Sequence, residues 1–281
     1  MTTATIDGIA TETIGDITIQ MIDVKGQTLR VATKPGAPDR TPLLMFNGIG
    51  ANLELGFPFL NAMPDTPAII FDIPGVGGSP MPRLPYVPAT MARTARRLLA
   101  ILGHDRVDVS GVSWGGGLAQ QFAFQYPRVC RRLVLVATAA GWTMKPGKLS
   151  VLKKMGSIKR YTDKSYMRSI AAEIYGGDFR TNPNLINAHA NAMRPSSNAG
   201  YVMQLLAMTG WTSAPFLWAV RQPTLIMAGT DDPLIPVENA HFMKRLLPNA
   251  QLELVENGHL FAVTRPHETA ASVTRFLTED A

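Results

Sequence analysis

Short apolar runs rich in Val, Ile and Leu recur along the chain at intervals that leave room for helices between them. The runs are Pro42–Phe46, Ala68–Asp72, Val107–Ser110, Leu133–Ala137, Thr224–Ala228 and Leu252–Val255. Short continuous apolar runs are typical of parallel strands that are buried on both faces. These segments are therefore predicted to form the interior of one sheet.

Amphipathic segments separate the apolar runs. The predicted helices are Thr90–Leu102, Val237–Leu247, Pro266–Leu277 and a helix that opens just after Ser113 and continues through Leu118–Tyr126. Strands that alternate with helices predict an α/β fold with a mostly parallel central sheet and helices on both faces. Before this alternation, Asp16–Val24 and Gln27–Thr33 predict two strands joined across Lys25 and Gly26.

The alternation stops near Gly141 and resumes near Gln222. The residues between are helical in pattern, basic, and rich in Met, Trp and Tyr. A helical lid inserted into a continuous core fits this arrangement. We predict a core of residues 1–140 and 222–281 and a lid of residues 141–221.

Composition supports a globular protein with no need for an oxidising compartment. Of 281 residues, 46% are hydrophobic and 17% are charged. Cys130 is the single cysteine, so no disulfide can form within the chain. The first residues lack the pattern of a signal peptide, and no apolar run reaches the ~18 residues of a membrane span. We expect a cytoplasmic protein without a transmembrane segment.

The positive charge is concentrated in the predicted lid. Residues 141–215 contain ten Lys and Arg but three acidic residues, a net +7, within a chain of net charge +6. The rest of the chain therefore sums to −1, which argues against a nucleic-acid partner. The favoured interpretation is a solvated helical face, and the alternative is contact with an anionic surface.

A nucleophile motif follows the run Val107–Ser110. Gly111–Gly115 reads Gly-Val-Ser-Trp-Gly and precedes the helix that contains Leu118–Tyr126. A strand, a tight turn and a helix in this order are the context of a G-x-S-x-G elbow, which exposes the serine oxygen at a helix N-terminus. Ser113 is therefore the predicted nucleophile.

A serine needs a base, and the base needs an acid that orients it. His259 follows the late strand Leu252–Val255 and is the predicted base, since sites of open α/β sheets lie at C-terminal strand ends. The other four histidines are interpreted as surface residues. They are His104, His189, His241 and His267.

The orienting acid lies in the loop after Thr224–Ala228. Asp231 and Asp232 are adjacent there, and their chemistry does not separate them. The pattern G-x-x-D-x-x-x-P, here Gly229 to Pro236, selects Asp232 and leaves Asp231 as the alternative. The oxyanion of an acyl-transfer intermediate needs two backbone N–H donors, for which Trp114 and Ile49 are predicted by position. No cluster has metal-ligand spacing, so neither a metal nor another cofactor is expected.

Beyond these motifs, the chain resembles the intracellular depolymerases of medium-chain-length poly(3-hydroxyalkanoates), which are α/β hydrolases. The shared strings are Phe46–Glu54, Pro74–Ser79, Gly111–Gly116, Leu118–Ala123, Ala137–Gly141, Ile174–Gly177, Gly210–Ser213, Asp231–Pro236 and Gly258–Phe261. The resemblance implies that Ser113, Asp232 and His259 are the catalytic triad. It also implies hydrolysis of 3-hydroxyacyl esters to 3-hydroxy acids or oligomers, with a polyester or small-ester substrate and contact with a storage-granule surface.

Met and aromatic residues of the predicted lid suit an adaptable apolar channel over the serine. The candidates for substrate contact are Trp142, Met144, Tyr175, Met208 and Trp211. Three alternative functions remain open at this point. A general carboxylesterase of small apolar esters and a carbon–carbon bond hydrolase share the triad, and an inactive binding module would share the fold. The oligomeric state is not predicted.

Overall fold

The computed structural model of the chain is built around one central sheet. Within residues 2–6, 9–157, 159–194 and 197–279, which the structure describes, ten strands belong to this sheet. They are β1 (Thr2–Ile6), β2 (Ile9–Ile14), β3 (Ile17–Val24), β4 (Gln27–Lys34), β5 (Leu43–Phe46), β6 (Ala68–Phe71), β7 (Val107–Val112), β8 (Cys130–Val136), β9 (Thr224–Gly229) and β10 (Ala250–Val255).

The strands follow the order β1-β2-β3-β4-β6-β5-β7-β8-β9-β10. From β6 to β10 in this order neighbouring strands are parallel, whereas β1, β2, β3, β4 and β6 pair antiparallel in turn. The parallel strands therefore end at one common edge of the sheet, where β7, β9 and β10 lead into the loops that carry the candidate chemistry. The eight predicted strands are present, and β1 and β2 extend the antiparallel side beyond the prediction.

Helices cover both faces of the sheet. Their bounds are α1 (Phe57–Asn61), α2 (Pro88–Ile101), α3 (Trp114–Gln125), α4 (Leu149–Met155), α5 (Lys159–Thr162), α6 (Lys164–Tyr175), α7 (Pro183–Ala192), α8 (Asn198–Ala207), α9 (Glu238–Leu246), α10 (Phe261–Thr264) and α11 (Pro266–Thr278). Side chains of β5 alternate between two apolar clusters. Leu44 and Phe46 pack with α2, α3 and α9, whereas Leu43 and Met45 pack with α1 and α11.

The residues between β8 and β9 contain helices α4 to α8, and residues 141–221 are called the inserted segment below. Apolar side chains from these helices form a cluster of their own, with Met167, Ile170, Ile174 and Tyr201 among its buried members. This cluster also takes in Leu234, from the loop after β9, so it packs directly over the C-terminal edge of the sheet. Within the described ranges, no helix has the length and apolarity that crossing a membrane requires.

Candidate active site

Ser113 lies on the sharp turn between β7 and α3. Its backbone has φ 54° and ψ −121°, a conformation that strains a residue with a side chain and that projects the serine oxygen outward. The flanking glycines leave room for the turn. A Cβ on Gly111 would lie 2.3 Å from the carbonyl oxygen of Gly115, and one on Gly115 would lie 2.2 Å from that of Phe46. The turn thus requires glycine on both sides of Ser113.

Three side chains that are far apart in the sequence meet above this turn. The Nε2 atom of His259 lies 2.9 Å from the Oγ atom of Ser113, and its Nδ1 atom lies 2.7 Å from the Oδ2 atom of Asp232. His259 and Asp232 are buried, with 2% and 8% of their surfaces exposed. This arrangement can transfer a proton from the serine to the imidazole while the carboxylate stabilises the imidazolium.

The two adjacent aspartates have separate surroundings. The Oδ1 atom of Asp232 accepts hydrogen bonds of 2.9 Å from the backbone N–H groups of Leu234 and Ile235, which fix the carboxylate toward His259. Asp231 instead points to the inserted segment, where it accepts hydrogen bonds from Arg180 and from the backbone of Gly177. The Arg180 hydrogen bond lowers the pKa of Asp231. Asp232 is therefore the residue that contacts the histidine.

The inserted segment also contacts the loop that carries His259. The backbone N–H of His259 donates to the carbonyl oxygen of Tyr175 at 2.6 Å. Asp178 accepts two hydrogen bonds of 2.9 Å from Arg265, and its backbone N–H donates to the side chain of Asn257 at 2.9 Å. The turn that follows α6 is thus held against the loops of both the acid and the base.

The two predicted oxyanion donors come from two separate segments that line the same cavity as the serine. Trp114 is the first residue of α3, where the N–H groups of a helix have no partner within it. Ile49 lies in the loop after β5, and both residues line the cavity above Ser113. Gln204 of α8 contacts both regions: its Oε1 atom accepts from the backbone N–H of Gly50 at 2.6 Å, and its carbonyl accepts from the Trp114 indole at 3.1 Å.

A buried ionic network supports the loop after β5. Asp72 accepts hydrogen bonds from the backbone N–H groups of Leu53 and Gly78, at 2.7 Å and 2.8 Å, and lies 3.4 Å from Arg30. Burial raises the pKa of Asp72 to about 6, although these donors act in the opposite direction. Arg30 also pairs with Glu54 at 2.8 Å, which ties a 3-10 helix in this loop, Leu53–Gly56, to β4.

A large apolar cavity opens from Ser113 under the inserted segment. Its volume is about 680 Å³. Of the five candidate substrate residues, four line this cavity: Trp142, Met144, Met208 and Trp211. Ser113, Trp114 and Ile49 also line it, so an apolar group bound there would share the cavity with the serine.

Tyr175, the fifth candidate, lies elsewhere. It is buried and lines a smaller cavity of about 70 Å³, whose lining also includes Ser113 and His259. Its ring lies parallel to that of His259, with centroids 6.3 Å apart. Arg160 and His189 line the same small cavity.

The interpretation of His189 as a surface residue is wrong. Its surface is 7% exposed, because α7 packs the ring edge-on against the rings of Tyr175 and Phe179. His241 and His267 are exposed, and His104 is half-buried.

The sequence analysis did not assign Gln204, Arg160 or His189 to the candidate site. Gln204 has a sequence signal, since it is the one polar side chain in a run of Val, Met and Leu on α8 and is fully buried. Arg160 has none, because it lies among other basic residues that are exposed or half-buried. Among the described residues, no group of three His, Cys, Asp or Glu side chains could hold a metal ion.

Comparison with known proteins places this geometry in context. The sequence profile described as "alpha/beta hydrolase fold" matches residues 41–266. The chain is 50% identical over 260 residues to the poly(3-hydroxyalkanoate) depolymerase of Ectopseudomonas oleovorans. The aligned region covers 92% of each chain. This relative confirms the resemblance drawn from the motifs.

Solved structures agree on the fold. A hydrolase from Pseudomonas aeruginosa superposes with a TM-score of 0.79 at 21% identity, covering 95% of this chain and 100% of the other. The enol-lactonase from Burkholderia xenovorans gives 0.80 at 19% identity, covering 92% and 100%. With the profile match, they confirm the predicted fold class.

Proposed function

The chain belongs to the α/β-hydrolase fold family, and we propose that it is a serine hydrolase that cleaves the ester bonds of medium-chain-length poly(3-hydroxyalkanoate). One observation carries the chemistry: the hydrogen-bonded series of Ser113, His259 and Asp232, with distances of 2.9 Å and 2.7 Å. The depolymerase that shares 50% sequence identity with the chain supports the choice of substrate.

The reaction is an acyl transfer in two steps. The Nε2 atom of His259 takes the proton of Ser113 while the Oγ atom attacks the ester carbonyl carbon. The negative charge on the carbonyl oxygen is stabilised by the backbone N–H groups of Trp114 and Ile49. As the tetrahedral intermediate collapses, the ester C–O bond breaks and His259 gives its proton to the leaving alcohol oxygen.

The second step releases the acid. A water molecule gives a proton to His259 and attacks the acyl carbon on Ser113, and the Ser113 oxygen then leaves and regains the proton. Asp232 stays ionised and holds the imidazole in the tautomer that presents a basic Nε2 to Ser113. The products are a 3-hydroxy acid, or an oligomer, and a chain shortened by that piece.

In this proposal the inserted segment acts as the lid. The cavity of about 680 Å³ lies within the size range of pockets for medium-sized apolar ligands, and Met and Trp side chains can adapt to alkyl groups of different length. Trp142 at its edge is 73% exposed, and Leu149 is 67% exposed. Exposed apolar side chains on a basic segment support docking on the surface of a polyester granule.

A substrate panel tests the proposal. Polyesters of 3-hydroxybutyrate and of 3-hydroxyoctanoate are compared with p-nitrophenyl butyrate and octanoate, for the purified protein and for Ser113→Ala. We expect release of 3-hydroxyoctanoic acid from the medium-chain polyester and none from the variant. Turnover of the soluble esters without attack on either polyester would contradict the proposal and indicate a general carboxylesterase.

A further inference from the structure

The small cavity beside Ser113 differs in chemistry from the large apolar one. Its lining includes Ser113, His259 and Ile49 from the candidate active site, and it also includes Arg160, His189 and Tyr175. None of the described residues that line it is acidic. A group bound there would share one cavity with Ser113, His259 and the cationic side chain of Arg160.

Arg160 places a permanent charge inside the protein. The residue is 3% exposed, and one guanidinium nitrogen donates to the Tyr175 hydroxyl at 2.9 Å. A second nitrogen lies 3.4 Å from the hydroxyl of Tyr201, whose ring the guanidinium covers at 5.8 Å. Since a guanidinium does not lose its proton in proteins, the cavity keeps a positive charge at every working pH.

His189 is a buried polar group in the same cavity. Both of its ring nitrogens are enclosed and have no hydrogen-bond partner among the described residues. Burial, with the charge of Arg160, lowers the pKa of His189 to about 4, so the ring is neutral at neutral pH. A neutral imidazole offers one donor and one acceptor, and leaving them unpaired in the interior is costly. Such a group that lines a cavity indicates a ligand.

We propose that the small cavity is a carboxylate subsite, in which Arg160 and His189 bind the free carboxylate of the unit whose hydroxyl oxygen forms the scissile ester. Arginine suits this ligand because its planar donors match a carboxylate, and a neutral imidazole N–H adds a third donor. This inference rests on the proposed function only for the attack of Ser113 on the ester.

The subsite selects a particular substrate. In a chain of 3-hydroxy acids, the carboxylate carbon of the last unit is three bonds from the ester oxygen of that unit. A dimer therefore presents its internal ester and its free carboxylate at one fixed spacing. The last ester at the carboxyl end of a chain, and short oligomers with that end free, are the preferred substrates.

The test compares two soluble dimers of 3-hydroxyoctanoic acid, one with a free carboxylate and one with a primary amide in its place. For cleavage of the internal ester, we expect kcat/KM of the wild-type protein to favour the carboxylate by about tenfold or more, as for hydrogen bonds to charged groups. Arg160→Met should bring the ratio close to one, and His189→Phe should lower it. Arg168→Met, a matched change on α6 at a half-buried position, should leave the ratio unchanged.

Equal rates for the two dimers in the wild-type protein, or an unchanged ratio in a folded Arg160→Met variant, would overturn the subsite. If Arg160→Met does not fold, the wild-type ratio and His189→Phe decide. Calorimetry on Ser113→Ala separates this inference from the proposed function, since it needs no hydrolysis. We expect 3-hydroxyoctanoate to bind more tightly than 3-hydroxyoctanamide, and equal affinities would exclude the carboxylate site.

Discussion

The ring of Tyr175 lies parallel to the imidazole of His259, with an angle of 6° between their planes, and its carbonyl accepts the His259 backbone N–H at 2.6 Å. Tyr175, one of the five residues expected to contact substrate, is therefore also a neighbour of the base. Both contacts limit the positions that the imidazole can take. Catalysis by a triad depends on this orientation as much as on the identity of the three residues.

Replacing the Tyr175 ring should slow the chemical step. We expect Tyr175→Leu to lower kcat on p-nitrophenyl octanoate by about tenfold, because the imidazole loses its parallel neighbour and a cavity is left beside it. Tyr175→Phe keeps the ring and serves as the matched comparison, with a smaller loss. Steady-state kinetics on both variants checks this, and equal losses would show that the ring does not position His259.

The two adjacent aspartates should differ sharply on substitution. Asp232→Asn removes the acceptor that fixes the His259 tautomer, and we expect kcat to fall by roughly 10³–10⁴-fold, as in other triads. Asp231→Asn changes a half-exposed pair with Arg180, which contributes little stability, so its kcat should stay within about tenfold of the wild-type value. Comparable losses in the two variants would contradict the assignment of the acid.

Replacing Gln204, which lies on α8, should lower the rate of catalysis. Gln204→Leu removes the acceptor of the Gly50 N–H, next to the predicted oxyanion donor Ile49. A misplaced donor weakens stabilisation of the intermediate, so we expect kcat to fall by about tenfold or more. Gln251→Leu, an exposed glutamine on β10, is the control and should behave as the wild type. A Gln204→Leu variant with an unchanged kcat would show that Gln204 does not position the predicted oxyanion donor.

Stability should depend on pH through His189. Its pKa in the folded protein is about 4, below the ordinary value of 6.5, so between these values the unfolded chain binds the proton and the folded one does not. The stability due to the neutral ring is therefore present above pH 6.5 and is lost as the pH falls toward 4. Asp72, whose pKa is raised to about 6, acts in the opposite direction over an overlapping range.

Urea unfolding at pH 7 and at pH 4.5 isolates the histidine. We expect the loss of unfolding free energy between these pH values to be smaller in His189→Phe than in the wild type by about 2 kcal/mol. His267→Phe changes an exposed histidine and should leave the loss as it is. The same pH dependence in wild type and His189→Phe would show that this ring does not titrate as described.

The parallel strands were predictable because each is a short apolar run, and their order along the chain places Ser113, the acidic loop and His259 at one edge. The strands β1 and β2 were not predicted, since Thr2–Ile6 and Ile9–Ile14 are rich in Thr and contain no continuous run of large apolar residues. The choice of Asp232 over Asp231 required a family pattern. The sequence alone does not show that Asp231 pairs with Arg180 while Asp232 contacts His259.

Gln204, Arg160 and His189 could not be placed for a different reason. Their roles depend on how the inserted segment packs over the sheet edge, which no local pattern encodes. Arg160 is flanked in the sequence by lysines that are exposed or half-buried, and its burial appears only once α5, α6 and α8 are assembled. Each predicted triad residue lies in a recognisable local motif, and the motifs follow a fixed order along the chain, whereas the proposed carboxylate subsite depends on tertiary contacts of the inserted segment.

Labelling with a fluorophosphonate probe, read by mass spectrometry of intact protein and of its peptides, tests whether Ser113 is the nucleophile. We expect one covalent adduct per chain on the peptide that contains Ser113, none on Ser113→Ala, and slow labelling of His259→Ala. An adduct on a different residue, or polyester hydrolysis at the wild-type rate by a folded Ser113→Ala variant, would contradict the assignment of Ser113 as the nucleophile.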